Sequence, residues 1–242
     1  MTKITPPLSR LKSIVKRLPI IPDFILFIKS KIREIKDSDI FCKHAAVINR
    51  GYGSYKKLIR GTNNEIHIGE NTRMTDTVFH IIGNNNVIRI GKNCSIGKGC
   101  SFWMEGNDIQ ITIGDNTTFT QFCHFNAQEN GSVINVAEDC MFSNHIIVRT
   151  SDSHPIYDIE TNQRINSAKP IYIGRHVWIA PDTKIMKGAD ICEGCIIGSN
   201  TMVSKHIPAN SLAVGQPAKV VKQNVRWSRE DIIFRKQCQN NH

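Results

Sequence analysis

The 242-residue chain lacks any run approaching eighteen consecutive apolar residues, so no segment reads as a membrane-spanning helix. Its start lacks the charged, then apolar, then small-residue order of a cleaved secretory signal, and a cytoplasmic location is the simplest expectation. Acidic residues are few, 21 against 31 Lys and Arg, and they are scarcest at the front. Residues 1–36 hold nine Lys/Arg and two acids, which accounts for +7 of the formal +10. This arm, containing "LKSIVKRLPIIPDFILFIKSKIREIK", reads as a basic amphipathic helix. It can lie on an anionic membrane surface, making the protein membrane-peripheral, or pack its apolar stripe on this chain or a neighbour. Aromatic residues do not interleave with its cations, which argues against nucleic acid as a partner. No second cysteine pair accompanies Cys192-x-x-Cys195 and no histidine stands at finger spacing, so that motif predicts neither zinc nor redox chemistry.

What is present is a beat. From Ile173 the apolar residues fall at Ile179, Ile185, Ile191, Ile197 and Val203, a period of six. Upstream it returns in triplets: Ile90, Ile96, Phe102; Ile113, Phe119, Phe125; Val136, Phe142, Val148; and a weaker Ile68, Met74. Six fits neither a helix nor an alternating strand. It fits a coil that turns a corner every six residues, with eighteen residues per three-sided coil. Ile90 to Ile113 and Ile113 to Val136 are each twenty-three residues, so five extra residues are expected to bulge from those coils. The residue after the inward one is usually small (Gly69, Gly91, Gly97, Gly114, Gly174, Ala180, Gly198), as a corner requires. The fourth residue after it is Thr, Val or Cys, so Cys94, Cys100, Cys123, Cys140 and Cys195 fill a small buried slot.

The beat breaks once. Val136 to Ile173 is thirty-seven residues, one coil plus nineteen, and the excess runs through "RTSDSHPIYDIETNQRINSAKP". A long excursion from a regular solenoid is commonly functional, because flat walls offer no pocket. It carries His154, the side chain best suited to take and return a proton near neutral pH. Asp152 and Asp158 flank it, and either is expected to orient its ring.

The repeat resembles the hexapeptide-repeat acyltransferases. The stretch from Lys169 to Lys222, with the loop before it, resembles the galactoside, maltose and xenobiotic O-acetyltransferase branch, with His154-Pro155 in the loop and Trp178, Ile207-Pro208, Asn210 and Gly215-Gln216-Pro217-Ala218-Lys219 after it in the branch's motif places. The phrase "CMFSNHIIVRTSDSHPIYD" is similar to members that acetylate bacterial capsule and O-antigen. The resemblance implies an all-β fold, a left-handed parallel β-helix over residues 46–222 with an extruded loop at 149–170. Residues 1–45 are then the helical arm, and 223–242, with "NVRWSREDIIFRKQ", a short C-terminal helix. It further implies acetyl-CoA as co-substrate, no metal, a saccharide acceptor, and a homotrimer with active sites between subunits.

By the same resemblance His154 is the general base for direct transfer of acetyl to a sugar hydroxyl. Trp178 lines the pocket beside the loop. Ala180, Pro181, Ser199, Ser204, Lys205, Lys219 and Lys222 line the CoA groove, with Lys187 further back. Two departures stand out. Pro181 has no N–H, so an oxyanion donor must come from Ala180 or elsewhere. Thr120 stands where the branch has a substrate-contacting Asn, and Asn126, directly beneath Arg149, is the substitute candidate, making Asn126, Arg149 and Asp152 the acceptor side. Three alternatives stay open: N-acetylation of an amino-sugar nucleotide, a γ-class carbonic anhydrase using His124, His145 and His154, and a non-catalytic β-helix spacer.

Overall fold

One large apolar side chain every sixth residue requires a chain that folds inward at each side of a triangle. The computed structural model, which describes residues 45–230, has this architecture. The strands Asn64–Ile68, Val87–Ile90, Gln110–Ile113, Val133–Val136, Ile171–Ile173, Asp190–Ile191 and His206–Ile207 stack in parallel as a first face. Ser95–Ile96, Thr118–Gln121, Met141–Asn144, Trp178–Ile179, Ile196–Ile197 and Leu212–Val214 form the second. Ser101–Glu105, His124–Gln128, Ile147–Arg149, Lys184–Met186 and Met202–Val203 form the third. Arg73–Ile82 bends from the second face onto the third. The expected N-terminal helix lies outside the described residues. Of the expected C-terminal helix, residues 223–230 run without regular secondary structure, and the remainder lies outside the described residues.

The inward residues of the beat stack in register, coil upon coil. Phe79, Phe102, Phe125, Val148, Ile185 and Val203 form one such column, all buried. Its phenyl rings stack at centroid spacings of 5.4 and 5.3 Å. Each fully buried ring of this kind is worth about 1.5–3 kcal/mol against exposure. The slot four residues on is a hydrogen-bonding position. Thr72 Oγ1 donates to the Gly91 carbonyl at 2.7 Å, Cys94 Sγ to Gly114 at 3.3 Å and Cys140 Sγ to Gly174 at 3.1 Å. Cysteine therefore does here what threonine does one coil below, which explains why the two alternate. At the corners, a methyl group on Gly97 would strike the Thr120 carbonyl of the next coil.

The five extra residues of the longer coils do not bulge, contrary to the sequence expectation. They lengthen the third face, so that each strand there buries a second inward residue: Ile81, Met104 and Ala127, in register. The turn that follows is itself stacked. Asn107 Oδ1 accepts from the Asn84 N–H, and Asn130 Oδ1 from the Asn107 N–H, each at 2.9 Å. Side-chain amides thus alternate with backbone bonds, such as Asp108 N–H to Asn84 O at 3.0 Å, to continue the ladder through the turn. Above the loop the coils shorten: Ile173 pairs with Ile191, eighteen residues on, and Ile191 with Ile207, sixteen on. Lys219–Lys222 then turns back antiparallel on Leu212–Val214.

Candidate active site

The chain leaves the third face after Arg149 and rejoins the first face at Ile171, so the loop hangs from the corner between them. Within it Tyr157 and Arg164 form an antiparallel bridge, and the Ile165 N–H donates to Ile156 O at 2.9 Å, making a small hairpin. Its base is fastened to the coil above through Lys187 and to the coil below through Glu129, and is tied internally by Asn166. Lys187 Nζ, on the coil above, donates to Asp152 Oδ2 at 2.5 Å and to Asn166 O at 2.9 Å. Asn166 is buried and donates to Asp152 Oδ2 and to His154 O, at 2.9 and 2.8 Å. Arg164 grips Glu129, on the coil below, through both guanidinium nitrogens at 2.8 and 2.7 Å, and Ser151 Oγ adds 2.6 Å to the same carboxylate. The hydrogen bond from Lys187 holds the Asp152 carboxyl below its ordinary range, and Arg164 does the same for Glu129.

His154 sits exposed on this fastened loop. Among the described residues its ring makes no hydrogen bond, while its carbonyl is held by Asn166. The expectation that Asp152 or Asp158 orients the ring is corrected. Asp152 is taken by Lys187 and Asn166. Asp158 caps its own turn, accepting from the N–H groups of Glu160 and Thr161 at 3.1 and 2.8 Å. The backbone around His154 is therefore oriented by bonds that spare the imidazole.

Asn126 lies directly below Arg149 on the third face, as the register required. Arg149 is committed to the neck of the loop, donating from Nε to Ser151 O at 2.9 Å and from Nη2 to Ser153 Oγ at 2.8 Å. Trp178 stands on the second face, between Met141 and Ile196, so one chain does not bring it beside its own His154 loop. Trp227 comes to Trp178 instead, with ring centroids 6.2 Å apart. Trp227 also stacks on His176 at 4.1 Å and donates from Nε1 to its carbonyl at 2.8 Å. Arg229, two residues on, donates to Asp139 Oδ1 and Cys140 O at 2.8 Å each. Sequence reasoning missed this strap, because nothing in "NVRWSRE" marks which coil it returns to.

Three of the expected CoA-groove residues meet in one place. Ser204, Lys205 and Lys219 line a shallow cleft of about 300 Å³ with His206, Pro217 and Ala218. Lys222 follows on the same antiparallel strand. Ala180, Pro181 and Ser199 stack on the corner between the second and third faces, apart from that cleft. The Ala180 N–H donates to Ile197 O at 2.9 Å, so the corner supplies no free oxyanion donor at either Ala180 or Pro181. The carbonic-anhydrase trio does not assemble: His124 pairs with Ser101 Oγ at 2.8 Å, and His145 stacks on Phe122 at a different corner from the loop.

A repeat-built prism with a fastened histidine loop and a lysine-bearing terminal cleft defines a class. The family model for the bacterial transferase hexapeptide (six repeats) matches residues 170–205. The polysialic acid O-acetyltransferase of Neisseria meningitidis is 32% identical over 178 residues, 70% of this chain and 78% of that protein. The chain belongs to the hexapeptide-repeat acetyltransferases. The polysialic acid O-acetyltransferase of Escherichia coli O1:K1 is 39% identical over 108 residues, 43% of this chain, which spans 35% of that relative's length. Two solved structures share the fold. The polySia-specific acetyltransferase NeuO has a TM-score of 0.58 at 29% identity, over 82% of this chain and 91% of that one. The polysialic acid O-acetyltransferase OatWY has 0.59 at 26%, over 82% and 94%.

Proposed function

We propose that the protein transfers acetyl from acetyl-CoA to a hydroxyl of a bacterial surface polysaccharide, with His154 as general base. The observation that carries this reading is the pairing of a rigidly tied loop backbone with an exposed imidazole that has no hydrogen-bond partner among the described residues. Such a ring can take the proton of an acceptor hydroxyl as that oxygen attacks the thioester carbonyl. The tetrahedral intermediate then collapses with loss of the CoA thiolate, which regains the proton. Lys205 and Lys219 suit the phosphates of CoA, and Lys222 extends the same charge. Asn126, the register partner of Arg149 at the loop neck, suits contact with an acceptor.

The site is completed by a second copy of the chain in a homotrimer, His154 of one facing Trp178 of the next. Two features support this: the residues stand on different faces of one chain, and the loop hairpin exposes Ile156, Ile159 and Ile165. Apolar surface of that kind on a tied loop suits burial against another subunit. A cytoplasmic location, with the basic arm touching an anionic membrane, goes with this reading. N-acetylation of an amino-sugar nucleotide has less support, since the named relatives are O-acetyltransferases.

The test is acetyl transfer from acetyl-CoA to capsular oligosaccharides by the wild type and by His154→Ala. A general base contributes about 10²–10⁴-fold, so the variant loses that much kcat. Equal rates would eliminate the mechanism, and transfer to nucleotide amino sugars alone would favour the amine reading.

A further inference from the structure

On the first face the coils shorten from eighteen residues to sixteen, and this brings three side chains of unlike sequence position together. Asp190 and His206 are direct register partners on adjacent strands. Cys192 lies two residues beyond Asp190, and its N–H donates to Ile207 O at 3.0 Å, so the ladder holds all three backbones rigidly. Between them Ile191 and Ile207 point into the core and leave the three polar side chains outward. One ligand atom from each lies within 4.8 Å of the other two.

We infer that Asp190, Cys192 and His206 form a binding site for one divalent transition-metal ion of the zinc type. His206 Nδ1 sits 2.8 Å from Asp190 Oδ2. A carboxylate can only accept, so in the neutral ring the proton sits on Nδ1 and Nε2 presents a lone pair. That lone pair faces Cys192 Sγ at 4.0 Å. Zinc–sulfur and zinc–nitrogen bonds of about 2.3 and 2.0–2.1 Å leave two tetrahedral ligands about 3.5 Å apart, so a side-chain movement of about 0.5 Å seats an ion. Asp190 then acts as the outer carboxylate that fixes tautomer and ring plane. Solvent completes the coordination on the open side.

The donor set selects the metal class. Thiolate with imidazole suits zinc, cobalt or nickel, and excludes the oxygen-seeking magnesium and calcium. Cys192 is also chemically distinct from its neighbours. Cys94, Cys100, Cys123, Cys140 and Cys195 are buried, whereas Cys192 is partly open. The C-x-x-C spacing plays no part: Cys195 turns inward, its Sγ 3.0 Å from Pro208 O.

The experiment is titration of chelator-treated full-length protein with Co²⁺ alone, followed by Zn²⁺ competition. A thiolate-to-cobalt charge-transfer band should grow to one equivalent per chain and be displaced by Zn²⁺. Cys192→Ser should abolish the band while leaving the circular dichroism and thermal midpoint of the metal-free protein unchanged. Asp190→Asn should weaken Co²⁺ about 10–100-fold. Absence of a band in the wild type, or its survival in Cys192→Ser through Cys42 or Cys238, overturns the proposal. None of these readouts depends on acetyl transfer.

Discussion

Lys187 Nζ rests on Asp152 Oδ2, 2.5 Å away and thirty-five residues distant in sequence. The contact joins the coil above the extruded loop to the residue two before His154. It is one of the bonds by which the solenoid sets where the His154 imidazole stands.

Lys187→Met is therefore expected to lower kcat about 10²-fold, since misplacement of a catalytic group by ~1 Å costs that much, with little change in KM for acetyl-CoA. Lys187→Arg should recover part of the loss. Steady-state kinetics on both variants checks this. Because the Asp152 carboxyl is held below its ordinary 3.8, the tie is complete above that value and fails as pH falls through the lower folded value. Loop-specific proteolysis should rise only in that acid range, and Lys187→Met should show it at neutral pH.

Mixing two inactive proteins tests the assembly. His154→Ala and Trp178→Ala trimers, dissociated and reassembled together, should regain part of the wild-type rate, because some interfaces then pair an intact histidine with an intact tryptophan. Continued inactivity of the mixture would place both residues in one subunit's site.

Phe102 lies at the centre of the stacked phenyl column, fully buried. Phe102→Ala should cost about 3–5 kcal/mol, read from the denaturant midpoint. Gly97→Ala should prevent folding of the coil outright, since the new methyl group meets Thr120 backbone rather than a side chain that could yield.

Thiol labelling separates the cysteines. Burial pushes Cys140 up to about 12, and burial raises Cys94 and Cys195 likewise. Among the described cysteines, iodoacetamide at mildly alkaline pH should mark the partly open Cys192 first and reach these three only on unfolding, as peptide mass mapping would report.

The six-residue beat made the prism legible, because each coil repeats one inward residue and one small corner. The loop was legible for the opposite reason, as nineteen residues that refuse the beat. What stayed hidden is contact between coils. Arg164 meets Glu129 and Lys187 meets Asp152 only once the chain has wound, and residues 129 and 164 share no motif. The lengthened third face was hidden too: Met104 and Ala127 sit off the beat of six, among the residues expected to bulge, and only register shows them stacked. The same applies to Asp190 and His206, joined by a sixteen-residue coil that the eighteen-residue period does not anticipate.

Coils stacked on one axis also act as a ruler. The corner that releases the loop lies two rungs below the corner carrying Ser204 and Lys205, about 10 Å at ordinary strand spacing. Along one edge of the molecule, reach can change only in steps of about 4.8 Å, by gain or loss of a whole turn. A carrier longer or shorter by one such increment would call for a different number of turns rather than a different set of side chains.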